Sequence, residues 1–280
     1  MLECINPRLQ LRERISELQK SYSKASPFKH LVIDNFLDEF TSNECRETFW
    51  NEKQKWNAYF NPIEIKLTNN TQDHWSPVIQ NVFNKIFANK LFLQFLREVT
   101  LINNLEFDHL LHGGGLNSHG QGGKLDIHLD YAINPLTFKE RKLNLVYYLN
   151  KNWDENYGGC LELRDKGGFT ENNMNKISPI FNRLLIFETT DDSWHGMPTP
   201  LTCPKEISRD SMTCHYVCNP TKNTTQRYKA KFIKTSQTYN EEYDEWYDKL
   251  LCIRPHTIIH PQWQWTPHWD FSLPFCNLKN

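Results

Sequence analysis

No stretch of this 280-residue chain reaches the roughly 18 consecutive apolar residues that a membrane-spanning helix requires, so no membrane span is expected. The opening residues, MLECINPRLQLRERISELQKSY, lack the apolar centre of a secretory signal. A cytoplasmic protein is the expectation, and the sequons at Asn69 and Asn223 are read as incidental. An excess of one charge is missing too. Against 32 basic side chains stand 33 acidic ones, for a net charge of −1. That balance offers no general field to hold nucleic acid or an anionic membrane, and neither is expected as a partner. The eight cysteines include no CxxC pair. Cys214 and Cys218 would face one side of a strand, but a zinc site needs closer spacing and more partners. Free buried thiols in a reducing compartment are the simpler reading. Internal repeats and low-complexity tracts are absent. The glycine-rich stretch HGGGLNSHGQGG at 112–123 lacks the GxxxxGK pattern of a phosphate loop.

What is present is enough for a packed core: 39% hydrophobic and 13% aromatic residues, with 23% charged. Residues 6–22 read as a helix, with Asn6 as cap, Pro7 in the first turn and Leu11, Ile15, Leu18 and Tyr22 on one face. HLVIDNFL at 30–37 begins as a strand, and Thr41 or Ser42 can cap a helix running to about Lys55. EIKLT at 64–68 is a further strand. Residues 76–100 carry a helical pattern (Val78, Val82, Phe83, Ile86, Phe87, Leu91, Phe95) whose aromatics are read as core. From residue 105 the pattern becomes short strands broken by Gly, Asn, Asp or Pro: LEFDHLLH, KLDIHLDY, KLNLVYYLN, CLELRD, RLLIFET and SMTCHYVC. The fold class expected is mainly β with flanking helices, a jelly roll with helices over one sheet. The expected organisation is an N-terminal helical extension at 1–27, the β core at 28–220, and a Trp-rich extension at 221–280 packed on it, with a short helix at 241–251.

The chemistry concentrates at GGKLDIHLDY, 122–131. On a strand, His128 and Asp130 point to the same face, so one element presents an imidazole beside a carboxylate. An HxD alone is weak, since His268-Trp269-Asp270 is a second one, in a Pro- and Trp-rich tail with no histidine after it. The first is distinguished by its downstream company. RLLIFETTDDSWHGMPTP brings Trp194-His195-Gly196 about 65 residues beyond Asp130, far enough for another strand to return His195 to the same place. Arg209 lies 14 residues after His195, with Ser211 on the same strand face. Two histidines and a carboxylate form the facial triad that holds iron(II) and leaves positions open. A guanidinium matches a carboxylate bidentately, and a nearby hydroxyl adds a bond. Taken singly, each residue has a plainer reading: His128 a satisfied core histidine, Asp130 a turn residue, His195 a cap. Their order and offsets together favour the site. His109, His112, His119 and His215 lack such company, and the loop holding His112 and His119 is read as a mobile edge of the site.

HxD, then WHG, then R-x-S resembles the 2-oxoglutarate- and iron(II)-dependent dioxygenase superfamily, and within it the prolyl 4-hydroxylase-like branch that includes ribosomal-protein prolyl hydroxylases. The resemblance spans roughly 28–219 and includes HLVIDNFLDE, GGKLDIHLDY and RKLNLVYYLNKNWDENYGGCLELRD. It implies a double-stranded β-helix, with His128, Asp130 and His195 as iron(II) ligands and as the catalytic centre. It implies Arg209, helped by Ser211, on the far carboxylate of 2-oxoglutarate, and Asn144 and Tyr148 lining that pocket, with Tyr131 a weaker case and Tyr148 equally a core aromatic. Gly158-Gly159 resembles the family's turn before a strand. The cofactors implied are iron(II) and 2-oxoglutarate, with ascorbate as reductant and molecular oxygen as co-substrate. Because Asp130 is present where related halogenases carry a small residue, hydroxylation is favoured over halogenation. A prolyl residue of a protein or peptide is the substrate the resemblance favours, with a free amino acid or small metabolite as the other reading. From different classes come a non-catalytic cupin-like binding or sensing domain and a scaffold built on the Trp-rich tail.

Overall fold

The computed structural model describes residues 4–51, 55–61, 63–165, 167, 173–234 and 264–265. Its strands are β1 (His30–Ile33), β2 (Trp56–Asn61), β3 (Glu64–Asn69), β4 (Glu106–Phe107), β5 (Gly115–His119), β6 (Lys124–Leu129), β7 (Glu140–Tyr148), β8 (Leu161–Arg164), β9 (Met174–Ile177), β10 (Arg183–Glu188), β11 (Trp194–Met197), β12 (Arg209–Cys218), β13 (Lys231–Phe232) and β14 (Gln264–Trp265). Along one antiparallel path they run β1-β10-β7-β12-β5-β3-β6-β11-β8-β9, with β2, β4, β13 and β14 added at the sides. The sheet curls on itself. Tyr148 of β7 and Leu185 and Phe187 of β10 pack against Leu161 and Leu163 of β8 and Ile177 of β9, closing one side of a jelly roll.

Alternation along β7, β10 and β12 sorts their side chains. Leu143, Leu145, Tyr147, Leu184, Ile186, Met212, Cys214 and Tyr216 point outward into one large core. Helices α1 (Ile15–Lys24), α2 (Glu39–Glu47), α3 (Pro77–Asn81) and α4 (Lys90–Thr100) cover that face with Leu18, Tyr22, Cys45, Ile79, Phe92 and Leu96. A fully buried side chain of this kind stabilises by about 1.5–3 kcal/mol. The expected jelly roll with helices over one sheet is what forms.

The local expectations differ in instructive ways. The 6–22 helix is two pieces, a 3-10 turn at Pro7–Leu9 capped by Asn6 and then α1. The cap of α2 is Asp38, not Thr41 or Ser42: its carboxylate accepts from the Thr41 amide at 2.9 Å and the Thr41 hydroxyl at 2.7 Å, and the helix ends at Glu47. The 76–100 helix breaks. α3 starts at Pro77 behind the Ser76 cap, widens into a π-helical turn at Val82–Phe87, and Asn89 caps a separate α4. In LEFDHLLH only Glu106–Phe107 pairs, because Asp108 accepts the Leu110 amide at 3.1 Å and turns the chain. Part of the glycine-rich stretch is a central strand, not a mobile loop. β5 pairs with both β12 and β3, and a Cβ on Gly115 would lie 2.4 Å from the Asn69 carbonyl oxygen. The expected helix at 241–251 and the second HxD lie outside the described residues.

Candidate metal centre

β6 places His128 on the inner face, and Asp130 comes just past the strand end. β11 runs antiparallel to β6 with His195 directly opposite His128, so both rings leave the sheet on one side with centroids 4.4 Å apart. The WHG sequence has a steric reason. A Cβ at position 196 would sit 2.7 Å from the Asp126 carbonyl oxygen, so only glycine lets β11 approach β6 this closely. His128 Nε2 lies 3.7 Å from Asp130 Oδ1, and His195 Nε2 lies 3.4 Å from Asp130 Oδ2. One ligand atom from each of the three falls within 4.8 Å of the others, the spacing of donors around one ion.

Each imidazole is oriented by its other nitrogen. His128 Nδ1 lies 2.8 Å from the Asp126 carbonyl and His195 Nδ1 2.9 Å from the Ser193 carbonyl. A carbonyl only accepts, so each Nδ1 carries the proton and each Nε2 presents a lone pair to the shared space. Burial, reinforced by neighbouring His195, pushes the His128 pKa down and keeps the ring neutral. Burial alone would raise the Asp130 pKa, but the Arg141 guanidinium and the two histidines outweigh it and hold the carboxyl well below its usual range. Two imidazoles with Nε2 turned to the shared space and an ionised carboxylate, fixed from behind, suit a non-haem iron(II) ion with open positions.

Asp130 has its own support. Asn144 donates to Oδ2 at 2.6 Å, Arg141 lies 3.1 Å from the same oxygen, and the Arg141 Nε donates to Asn144 Oδ1 at 2.7 Å. The Arg141 guanidinium stacks over Tyr131 at 4.6 Å, and the Tyr131 hydroxyl donates to the His112 carbonyl at 2.9 Å. Asn144 therefore touches the Asp130 carboxylate itself, a more specific place than a pocket wall, and Tyr131 acts through Arg141. Strict alternation hides Arg141, which has the parity of outward-facing Leu143. The register supplies the reason. Leu143 pairs with Tyr216 but Arg141 with Val217, so Lys142 is an extra residue, and this bulge turns Arg141 to the inner face.

Further along the inner face sits Arg209, 4% exposed and without an acidic partner among the described residues. Its Nε donates to the Gly159 carbonyl at 2.7 Å, its guanidinium lies over the Tyr148 ring at 5.0 Å, and Nη2 reaches the Tyr148 hydroxyl at 3.5 Å. Gly159, at φ +82°, is the turn glycine that makes this possible, since a Cβ there would meet Arg209 Cδ at 3.2 Å and Leu201 at 2.9 Å. Ser211 pairs directly with Tyr148, buried on the same face. A buried guanidinium lacking a carboxylate is costly unless an anion completes it, and Tyr148 and Ser211 offer hydroxyls beside it. Burial raises the Tyr148 pKa against the pull of Arg209, so its phenol stays protonated as a donor.

His119 and His215 also belong to this face. His119 pairs with Arg209 and His215 with Asn144. Both are buried, and none of their ring nitrogens has a hydrogen-bond partner among the described residues. Burial, with Arg209 near His119 and Arg141 near His215, drives both pKa values well below the usual imidazole value, so both rings are neutral. The even spacing 209, 211, 213, 215 on one strand was the available signal for His215. The glycines around His119 concealed that it stands on a strand.

Residues 114–231 match the family model of the 2OG-Fe(II) oxygenase superfamily. The fold is similar to that of a prolyl hydroxylase from Trichoplax adhaerens, solved in complex with a hypoxia inducible factor oxygen degradation domain peptide fragment, at a TM-score of 0.55 and 20% identity, covering 75% of this chain and 92% of that one. It is also similar to a Pseudomonas putida prolyl-4-hydroxylase, at 0.52 and 14% identity over 74% of this chain and 100% of that one. A third likeness is to a prolyl 4-hydroxylase from Phytophthora capsici, at 0.50 and 18% identity, over 89% of this chain and 75% of that one. At these identities the structural matches speak for the fold. The matched segment holds His128, Asp130, His195 and Arg209, so the likeness to the 2OG-Fe(II) oxygenase superfamily, the jelly roll and the two-histidine, one-carboxylate cluster fall in one part of the chain.

Proposed function

We propose that this chain is an iron(II)- and 2-oxoglutarate-dependent dioxygenase that hydroxylates a prolyl residue in a protein or peptide, with ascorbate serving as reductant. The observation that carries the reading is the pairing on one inner face of the His128, Asp130 and His195 cluster with a buried arginine that has no acidic partner among the described residues. His128, Asp130 and His195 would hold iron(II), and Arg209, with Tyr148 and Ser211, would hold the far carboxylate of 2-oxoglutarate. When bound, these groups and oxygen supply the oxidising chemistry that hydroxylates a C–H bond, with 2-oxoglutarate leaving as succinate and carbon dioxide.

The protein's part is orientation and exclusion of water. The Asp126 and Ser193 carbonyls fix the imidazole tautomers. Arg141 and Asn144 occupy one oxygen of Asp130 and keep the carboxylate ionised without a proton shared with the histidines. Tyr148 and Gly159 hold the Arg209 fork in a dry setting where a carboxylate bond is strong. The prolyl assignment rests on the sequence motifs and on the similar folds of prolyl hydroxylases, one of them solved with a peptide. The narrower likeness to ribosomal-protein prolyl hydroxylases rests on the motifs alone.

The test is hydroxylation of a proline-containing peptide library, read by mass spectrometry, beside free proline and other free amino acids. The expected result is a gain of one oxygen on a peptide proline that disappears in the His195→Ala protein. Turnover of a free amino acid with no peptide product would move the substrate to the small-molecule class.

A further inference from the structure

Beyond the strands that carry the metal cluster, residues 227–233 lie against two of its members, His128 and Asp130, and against chain neighbours of the third. β3 pairs with β6 only at Lys124 and Leu125, and the Asp126 amide is taken by the Ile63 carbonyl. From there the same edge of β6 would be bare beside His128. β13 fills it: Lys231 pairs with Leu129, Phe232 with His128, and the Ile233 amide donates to the Ile127 carbonyl at 3.1 Å. The Phe232 ring stacks on the His128 imidazole, 5.0 Å between centroids and 23° between planes. Arg227 Nε donates to the Asp130 carbonyl at 2.7 Å, and the Arg227 carbonyl accepts from the Ala132 and Ile133 amides. On the His195 side, Arg227 Nη1 binds Asp191 at 2.5 Å and the Lys231 ammonium sits 5.7 Å from the Trp194 ring centroid.

We propose that residues 227–233 are a clasp that positions the metal ligands, with Phe232 setting the His128 ring and Arg227 setting the backbone at Asp130. This rests on the reading of the triad as a metal site. His128 has its Nδ1 bond and one flanking strand from the core of the fold, but its ring plane is free to rotate unless something packs on it, as Phe187 packs on His195 at 4.7 Å. Phe232 does so by stacking, beside the His195 ring that meets His128 at a 50° tilt. Asp130 lies beyond the last paired residue of β6, and Arg227 is what holds its carbonyl. Groups that orient ligands from behind commonly change metal affinity 10- to 100-fold when removed, about the effect expected here.

The test uses the full chain, stripped of metal and titrated with cobalt(II), whose ligand-field spectrum reports coordination. Phe232→Ala and Arg227→Gln should weaken cobalt binding about tenfold or more and alter the spectrum, while Phe232→Tyr, which keeps the ring, should restore both. Thr224→Ala is the control. It cuts the 2.7 Å bond from Thr224 to Glu140, which ties the chain just before the clasp to β7, away from the cluster. It should lower the melting temperature and leave cobalt affinity alone. The clasp is overturned if folded Phe232→Ala binds cobalt as the parent does with an unchanged spectrum, or if Thr224→Ala weakens cobalt as much. Should Phe232→Ala not fold, Arg227→Gln decides by the same criterion. A parent protein that binds no cobalt would overturn the metal reading itself, and the clasp with it.

Discussion

Tyr147 and Tyr148 are neighbours on one strand, and they belong to different worlds. Tyr147 faces outward into the helix-covered core, where Phe36 packs on it and its hydroxyl donates to Asn182 at 2.9 Å. Tyr148 faces inward, under the Arg209 guanidinium and opposite Ser211. The outer face of this sheet is mostly apolar and lies under the helices. The inner face collects two arginines, four histidines and an aspartate, and two of those histidines lack any hydrogen bond to their rings among the described residues. A period of two lets each strand serve both: one face carries the free energy of burial, and the other carries groups whose cost of burial makes sense only around a ligand.

The comparison can be broken most strongly by truncation. Tyr147→Ala should destabilise by about 3–5 kcal/mol, the usual cost of removing a buried aromatic, visible in chemical denaturation. His195→Ala should leave the melting temperature within a few degrees and abolish turnover. An unfolded His195→Ala protein, or an active one, would erase the division.

Asp130 tests whether the inner face is coupled. Asp130→Ala should lose turnover and also about 3–5 kcal/mol of stability, because Arg141 is left buried and unpaired. Asp130→Ala with Arg141→Met should recover the stability and none of the turnover, measured by denaturation and succinate release.

Arg209→Ala should raise the 2-oxoglutarate requirement by the loss of about 2–5 kcal/mol of a buried charged contact, with turnover at saturation largely kept. Tyr148→Phe should act in the same direction, more weakly. Its neighbour's variant, Tyr147→Phe, should cost about 1 kcal/mol of stability and leave the 2-oxoglutarate dependence unchanged. Opposite assignments of these two phenylalanine variants would invert the two faces.

These residues also show what the sequence discloses. Alternation and spacing brought out the jelly roll, the helical cover and the HxD with its distant histidine and arginine, because each depends on a period or an offset that the chain displays. What stayed hidden depended on breaks in a period. The bulge at Lys142 hid Arg141, the break at Asn89 hid the division of the 76–100 helix, and a strand threaded through glycines hid His119. The pairing of β13 with β6 is a tertiary fact that two residues of strand cannot announce.

The smallest effect is in pH. The depressed pKa values of His119 and His215 mean that the unfolded chain binds their protons first as the pH falls. Their contribution is therefore present in full above the ordinary imidazole value of about 6.5 and is lost below it, at a slope approaching about 1.4 kcal/mol per pH unit for each ring. Denaturation of the metal-free protein between pH 7.5 and 5.5 should show this slope, about the range in which an imidazole titrates. His119→Phe should flatten it by one proton, and an unchanged slope would show that His119 is not held neutral.

The central claim is that the inner face binds iron(II) and 2-oxoglutarate for turnover. Succinate release by the purified chain, with iron(II), ascorbate, oxygen and proline-containing peptides, measures it most directly. The account predicts peptide-stimulated succinate that vanishes in His195→Ala and persists in Tyr147→Phe. Succinate release that survives His195→Ala, or a protein that binds neither iron(II) nor 2-oxoglutarate, would contradict it.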